Sequence, residues 1–291
     1  MEFMFTMITI IMAAATPLLL AALGEAVTER AGVLNLGVEG MMVMGAVAGF
    51  GGAFLSGNPW AGIITAILAG MFMSLLFAFL TLTLLANQVA TGLALTLLGL
   101  GLSALLGEGF VGQPGVKLPN IAGIDPLMPF SLLMVIAVNY MLFRTRAGLI
   151  IRAVGTSHAS AHALGYNVIA VRYLCVMFGG AMSGLAGGYL SLVYTPQWVE
   201  NMTAGRGWIA LALVVFASWL PFRVLAGAYL FGTISILSFV FQAMGLGIPS
   251  QLLSSLPYLG TILALVVISG NKALTRRNTP ASLGQPFVPD R

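Results

Sequence analysis

The sequence predicts an all-α polytopic membrane helix bundle of about nine transmembrane segments, with the N-terminus outside and the C-terminus cytoplasmic. Three observations carry that expectation. Of the 291 residues, 59% are hydrophobic and only 7% charged, whereas a soluble domain has roughly 25% charged residues. Apolar runs follow one another with short gaps, and about 20 helical residues cross a hydrocarbon layer roughly 30 Å thick. Strands of a barrel would be about 10 residues long and would alternate polar with apolar. The third observation is charge placement: ten of the twelve Lys and Arg residues fall into alternate gaps, at Arg30, Arg144, Arg146, Arg152, Arg172, Arg223, Lys272, Arg276, Arg277 and Arg291. Only Lys117 and Arg206 lie on the other side. A basic excess marks the cytoplasmic loops, which sets the orientation.

The expected spans are residues 3–23, 38–55, 60–85, 89–107, 127–143, 172–194, 207–220, 224–244 and 252–270, within one transmembrane domain over residues 1–271. The first run continues past Ala13 to Ala15 without a basic leader, so it is a retained helix rather than a cleaved signal. Between the first two spans lies VLNLGVEG, with Glu25, Glu29 and Arg30 before it at the inner interface. Gly32, Gly37 and Gly40 allow a bend or break there. Asn35 and Glu39 are four residues apart and share a face if the segment is helical. An ionisable group at membrane depth is a functional-site hypothesis; near the interface it is only a solvated end residue. Asn87 and Gln88 form a polar pair at the cytoplasmic end of the fourth span, and the commoner use of such amides in lipid is to bond neighbouring helices.

The longest cytoplasmic gap, residues 144–171, outlines one short helix: Gly155, then Thr156 or Ser157 as N-cap, then ASAHAL, then Gly165 as stop. Such a helix is either a handle for another protein or a plain connection. His158 and His162 have metal-binding spacing, but no Cys, Asp or Glu nearby completes a ligand set. In GGAMSGLAGG, Gly180, Gly184 and Gly188 form one small-residue ridge, and Gly179, Ser183 and Gly187 another. These fit close backbone packing within the bundle or at a subunit interface. The outer loop carries Trp198, Glu200, Arg206 and Trp208, either an aromatic belt with solvated charges or a docking patch. Residues 207–220 are short for a crossing, and Pro221 follows at once. The tail, residues 272–291, is rich in Pro and polar residues and reads as a disordered cytosolic end. The single cysteine, Cys175, lies in an apolar run and forms no intrachain disulfide.

Several function classes are excluded. The basic residues are few and dispersed among apolar spans, which argues against nucleic acid. No nucleophile, base and orienting acid form a set, and no GxxxxGK[ST] phosphate loop occurs, so the chain is not expected to be an enzyme.

The segments GEAVTERAGVLNLGVEGMMVMGA, ANQVATGLALTLLGLGLSALLG, RAGLIIRAVG with ALGYNV, and LVYTPQWVENMTAGRGWIALALVVFA with LPYLGTILALVV cover nearly the whole chain. Together they resemble the permease subunit of ATP-binding-cassette importers for ribose, branched-chain amino acids and nucleosides, nearest the nucleoside or simple-sugar branch. The resemblance implies a pathway for a small polar solute across the bacterial inner membrane. Nucleosides lead, followed by simple sugars, riboflavin-like compounds and branched-chain amino acids. It implies a second, related permease subunit, an ATPase that holds ATP and Mg on separate chains, and a periplasmic or lipid-anchored solute-binding protein; no cofactor sits on this chain. Ser157, His158, Ala159, Ala161, His162, Leu164 and Gly165 would then form the coupling helix seated on the ATPase. Asn35, Glu39, Asn87 and Gln88 would line the pathway or its pivot, and Trp198, Glu200 and Arg206 would meet the binding protein. Relatives often carry an acidic residue after the glycine of the coupling loop; here Gly155 is followed by Thr156, Ser157 and His158. The rival from another class is a secondary transporter with Glu39 as proton carrier; a structural membrane protein without transport activity is a further one.

Overall fold

A computed structural model describes residues 2–120, 123–244, 249, 251–252, 255–256, 259–260 and 278–288. Among them the chain forms α1 (Glu2–Arg30), α2 (Val38–Ser56), α3 (Pro59–Ala78), α4 (Gln88–Gly107), α5 (Leu127–Arg144), α6 (Arg146–Thr156), α7 (His158–Ala163), α8 (Val168–Tyr189), α9 (Arg206–Phe216) and α10 (Pro221–Ala243). Single π-helical turns, Phe79–Thr83 and Leu190–Tyr194, prolong α3 and α8. Among the described residues, seven helices are long and apolar enough to cross a membrane. They coincide with the expected spans except at 207–220 and 252–270; the latter lies mostly outside the described residues.

Local chemistry fixes most helix starts. The side chains of Asn58, Asn87, Thr145, Ser157 and Asn167 each accept a backbone N–H two or three residues on, and Pro59 occupies the first position of α3. Outward faces carry large apolar side chains, such as Ile64, Leu68 and Phe72 on α3 and Leu97 and Leu105 on α4. That pattern suits hydrocarbon as solvent.

The bundle is organised around α8, which packs on α1, α2 and α3. Both of its small-residue ridges are used inside the chain. A Cβ on Gly184 would stand 2.3 Å from the Ala66 carbonyl oxygen, one on Gly187 1.8 Å from that of Met42, and one on Gly179 2.3 Å from the Thr28 hydroxyl. At Gly184 and Gly187 backbone therefore meets backbone without intervening side chains, which is how packing alone holds helices in lipid.

Four features depart from the expectations. First, α1 runs on through Glu25, Glu29 and Arg30, all buried, rather than ending at residue 23. Second, α9 has only 11 residues, about 16 Å of helix against a layer of roughly 30 Å, so 207–220 is not a helical crossing. Third, the 144–171 gap holds two helices, because α6 precedes the expected α7 and buries Ile151 and Val154. Fourth, the tail is not a disordered end over residues 278–288: Ser282 and Phe287 are buried against the bundle. Too poor in apolar residues for a core of its own, it shares one with Val154, Ala161 and Val168.

Leu at position 184 would force these backbones apart and is expected to destabilise the bundle by about 3 kcal/mol or more. Leu at Gly101, where an added Cβ meets nothing within 4 Å, should be tolerated. Thermal unfolding of the two variants in detergent, Gly184→Leu and Gly101→Leu, makes the comparison.

Candidate functional site: a buried carboxylate between two helix starts

Two helices begin inside the bundle rather than at its surface. After the left-handed turn at Gly32, with φ of 83°, the chain rises beside the first turns of α4. Leu34 N donates to the Gln88 amide oxygen at 2.8 Å, and Gly92 and Gly99 lie against Leu36 and Gly40. Gly99 is eleven residues into α4, or about 16 Å from its start. The first turn of α2 is thus level with the middle of α4.

Asn35 does not share a helix face with Glu39, because α2 begins only at Val38. Its side-chain oxygen instead accepts Gly37 N at 2.9 Å, an Asx turn that feeds the chain into α2. Its own N–H donates to Glu25 at 3.3 Å. Glu39, 2% exposed, points across to the start of α9. Its Oε1 accepts the Thr203 hydroxyl at 2.6 Å and Gly205 N at 2.9 Å, and its Oε2 accepts Gly207 N at 2.6 Å. Free N–H groups and the helix dipole make a helix N-terminus an anion site, and here the chain's own carboxylate fills it. Glycine is required at two of those positions. Gly205 has φ of 81°, and a Cβ on Gly207 would stand 2.6 Å from the Glu39 backbone.

The other end of α9 is tied as firmly. Ser218 and Trp219 adopt φ of 50° and 56°, turning the chain so that the Trp219 indole N–H donates to Glu29. The Trp219 carbonyl accepts Arg30 Nη2 at 3.3 Å. This half-length helix is therefore strung between the start of α2 and the end of α1.

Of the remaining candidates, Asn87 is an exposed N-cap of α4, while Gln88 is buried and receives Leu34. Trp198 is not available for docking. It is 2% exposed and wedged against Gly107, which has no side chain to obstruct the indole. Glu200 is exposed. Arg206 is half-buried, donating to the Met202 carbonyl at 3.0 Å, with its guanidinium 5.6 Å from the Tyr194 ring.

On the 144–171 side, α7 has the expected limits. Ser157 Oγ accepts Ser160 N at 3.2 Å, and Gly165 ends the helix with φ of 86°. Ala161 is buried; Ala159, His162 and Gly165 are exposed, and Leu164 is 75% exposed. The His158 and His162 rings both meet Phe287, at 5.3 and 5.4 Å between centroids. No group of three His, Cys, Asp or Glu able to hold a metal occurs among the described residues.

Sequence reasoning missed Thr203, Gly205, Gly207, Trp219, Asp125 and Tyr189. The run TAGRG before an apolar helix was the available signal for the first three, being small residues able to cradle an anion. Asp125 lines a pocket of about 280 Å³ with Lys117 and Asn120, and accepts the Tyr189 hydroxyl at 3.1 Å. Burial pushes its carboxyl above the ordinary range, partly offset by hydrogen bonds from Met128 N, Tyr189 and Leu127 N.

Helices that break inside a membrane bundle around a buried carboxyl group are an architecture that transport proteins use, since irregular backbone persists there only when protein or a pathway satisfies it. Residues 7–269 match the family described as branched-chain amino acid transport system, permease component, and the chain belongs to it. It is 40% identical to the protein named "Putative glucose ABC transporter permease protein TsgC13" of Haloferax volcanii, over 94% of each chain. It is 31% identical to the guanosine ABC transporter permease protein NupQ of Bacillus subtilis, over 94% of this chain and 93% of that one. It is 32% identical to the nucleoside ABC transporter permease protein NupC of Lactococcus lactis, over 88% and 89%. No solved structure matches it. The chain is an ABC transporter permease.

Two predictions follow from this geometry. Glu39→Ala strands the N–H groups of Gly205 and Gly207 and is expected to cost about 3 kcal/mol in thermal unfolding, while Glu39→Gln, which keeps one accepting oxygen, costs roughly half as much. His158 is held below the ordinary histidine range by burial and by the Arg172 charge. The folded state therefore favours its neutral form, so its contribution is present above that range and lost as pH falls through it. Protection factors at residues 280–288, which take out the pH dependence of intrinsic exchange, should fall on mild acidification, and His158→Gln should remove that dependence.

Proposed function

We propose that this permease carries nucleosides across a bacterial inner membrane, as one of two related permease subunits that form the pathway. The observation that carries the solute reading is the likeness, over most of both chains, to permeases named for guanosine and for nucleosides. A simple sugar is the second reading, favoured by the relative named for glucose. The paired subunit follows from the resemblance to nucleoside-type systems, which commonly use two different permeases. ATP and Mg belong to the partner ATPase, and a solute-binding protein delivers cargo on the outer side, where Glu200 is accessible. The N-terminus lies outside and the C-terminus in the cytoplasm.

In this reading α7 is the coupling helix. Its firm capping and the exposure of Leu164 support the role. Binding-protein docking and ATP-driven closure bias a two-state bundle between outward-open and inward-open forms. Asn35, Glu39 and Gln88 act as a pivot: three hydrogen bonds from the start of α9 suit Glu39 to holding two helix starts together rather than ferrying a proton.

The test is uptake into proteoliposomes holding this chain with its partner permease, ATPase and binding protein. Guanosine, adenosine or uridine should compete for uptake and glucose should not; the reverse pattern establishes the sugar reading. Leu164→Asp should cut ATP-dependent uptake at least about tenfold, and unchanged uptake would remove α7 from coupling. An uncoupler, with ATP held constant, should leave uptake intact.

A further inference from the structure

A six-residue helix has fewer than two turns, too few to be stable alone. What fixes α7 in place is the segment at residues 280–288. Ser282 N donates to the Gly155 carbonyl at 3.0 Å, and the Ser282 hydroxyl lies 2.7 Å from that oxygen and 3.1 Å from the Val154 carbonyl. Gly284 N donates to the Gly32 carbonyl at 3.2 Å. Arg172, buried at the start of α8, donates to the Gln285 carbonyl at 3.0 Å and to the Ala31 carbonyl at 3.2 Å. Phe287, 8% exposed, closes over the buried Ala161 of α7 and lies against both histidine rings. One short segment thus hydrogen-bonds the end of α6, the base of α8 and the bend after α1, and packs Phe287 against α7.

The bend is where the chain begins its rise to Glu39. A Cβ on Gly155 would stand 2.0 Å from the Arg30 carbonyl oxygen, so the end of α6 is itself seated on the end of α1. We propose that residues 280–288 are a positioning strap that makes α6, α7 and the α1–α2 bend one rigid body, so that displacement of α7 reaches the start of α2 instead of being absorbed in hinges at Gly155 and Gly165. Packed elements move in discrete steps, whereas a short helix held only by two flexible ends dissipates a push. Phe287 and Ser282 act through α7 and do not touch solute. The strap rests on the reading of α7 as the ATPase contact.

The experiment uses the complete transporter in proteoliposomes and reads solute moved per ATP hydrolysed. Phe287→Ala is expected to leave the complex assembled and hydrolysing ATP while that ratio falls roughly tenfold, a normal size for a coupling between sites. Phe287→Leu, which keeps apolar bulk over Ala161, should return it to within about twofold of the parent. A parental ratio in Phe287→Ala overturns the strap. If that variant does not assemble, Ser282→Ala decides: it removes the hydroxyl bonds but keeps the backbone one, and a ratio lowered at least about twofold supports the strap while an unchanged ratio overturns it. Leu164→Asp, run alongside, separates the two levels. No effect of Leu164→Asp on assembly or uptake removes the coupling reading itself, whereas a strong effect with parental ratios in both strap variants removes the strap alone.

Discussion

A carboxylate buried at mid-depth between two helix starts sets the terms for the rest of this bundle. In lipid each unpaired backbone group is costly, so a chain that interrupts its helices there must supply partners from within. Glu39 supplies them for α9: three donors converge on two oxygens, and two are backbone N–H groups that a continuous helix would have paired itself. The glycines at 205 and 207 follow from that requirement, as does the Asx turn at Asn35 that delivers Glu39 to its position.

Holding α9 at mid-depth also explains the far end of the same helix. Its 11 residues reach from Glu39 to the level of Glu29 and Arg30, and the left-handed pair Ser218 and Trp219 turns the chain before Pro221 opens α10. Two non-glycine residues at positive φ are unfavourable in isolation. The indole bond to Glu29 and the arginine on the Trp219 carbonyl hold them.

Much of this was legible in the sequence where the signal was local. Seven long apolar helices are visible as runs, because crossing length is a strong constraint, and the limits of α7 were set by Ser157 and Gly165, whose chemistry acts within one turn. The partners of Glu39 were not legible. The carboxylate stands out in the sequence as an ionisable group beside an apolar run, but Thr203, Gly205 and Gly207 lie far along the chain, and only tertiary packing brings them to it. Trp198 and the tail failed for a related reason. An aromatic in an outer loop and a Pro-rich end are solvent-facing by composition, yet Gly107 leaves room for one ring and the histidine rings of α7 receive another. The half-length of α9 was foreshadowed by its short run and Pro221, while α6 was hidden inside a gap judged by charge rather than by its buried Ile151 and Val154.

The glycine ridges of α8 bear on how such a bundle changes shape. Where Gly184 meets Ala66 and Gly70, and Gly187 meets Met42, main chain lies on main chain. Sliding one helix past another normally proceeds by side chains exchanging rotamers in the layer between them, and here that layer does not exist. α2, α3 and α8 are therefore locked in register and travel as a block. Any alternation of access must be taken up at the perimeter of that block, where α9 hangs between two tethers.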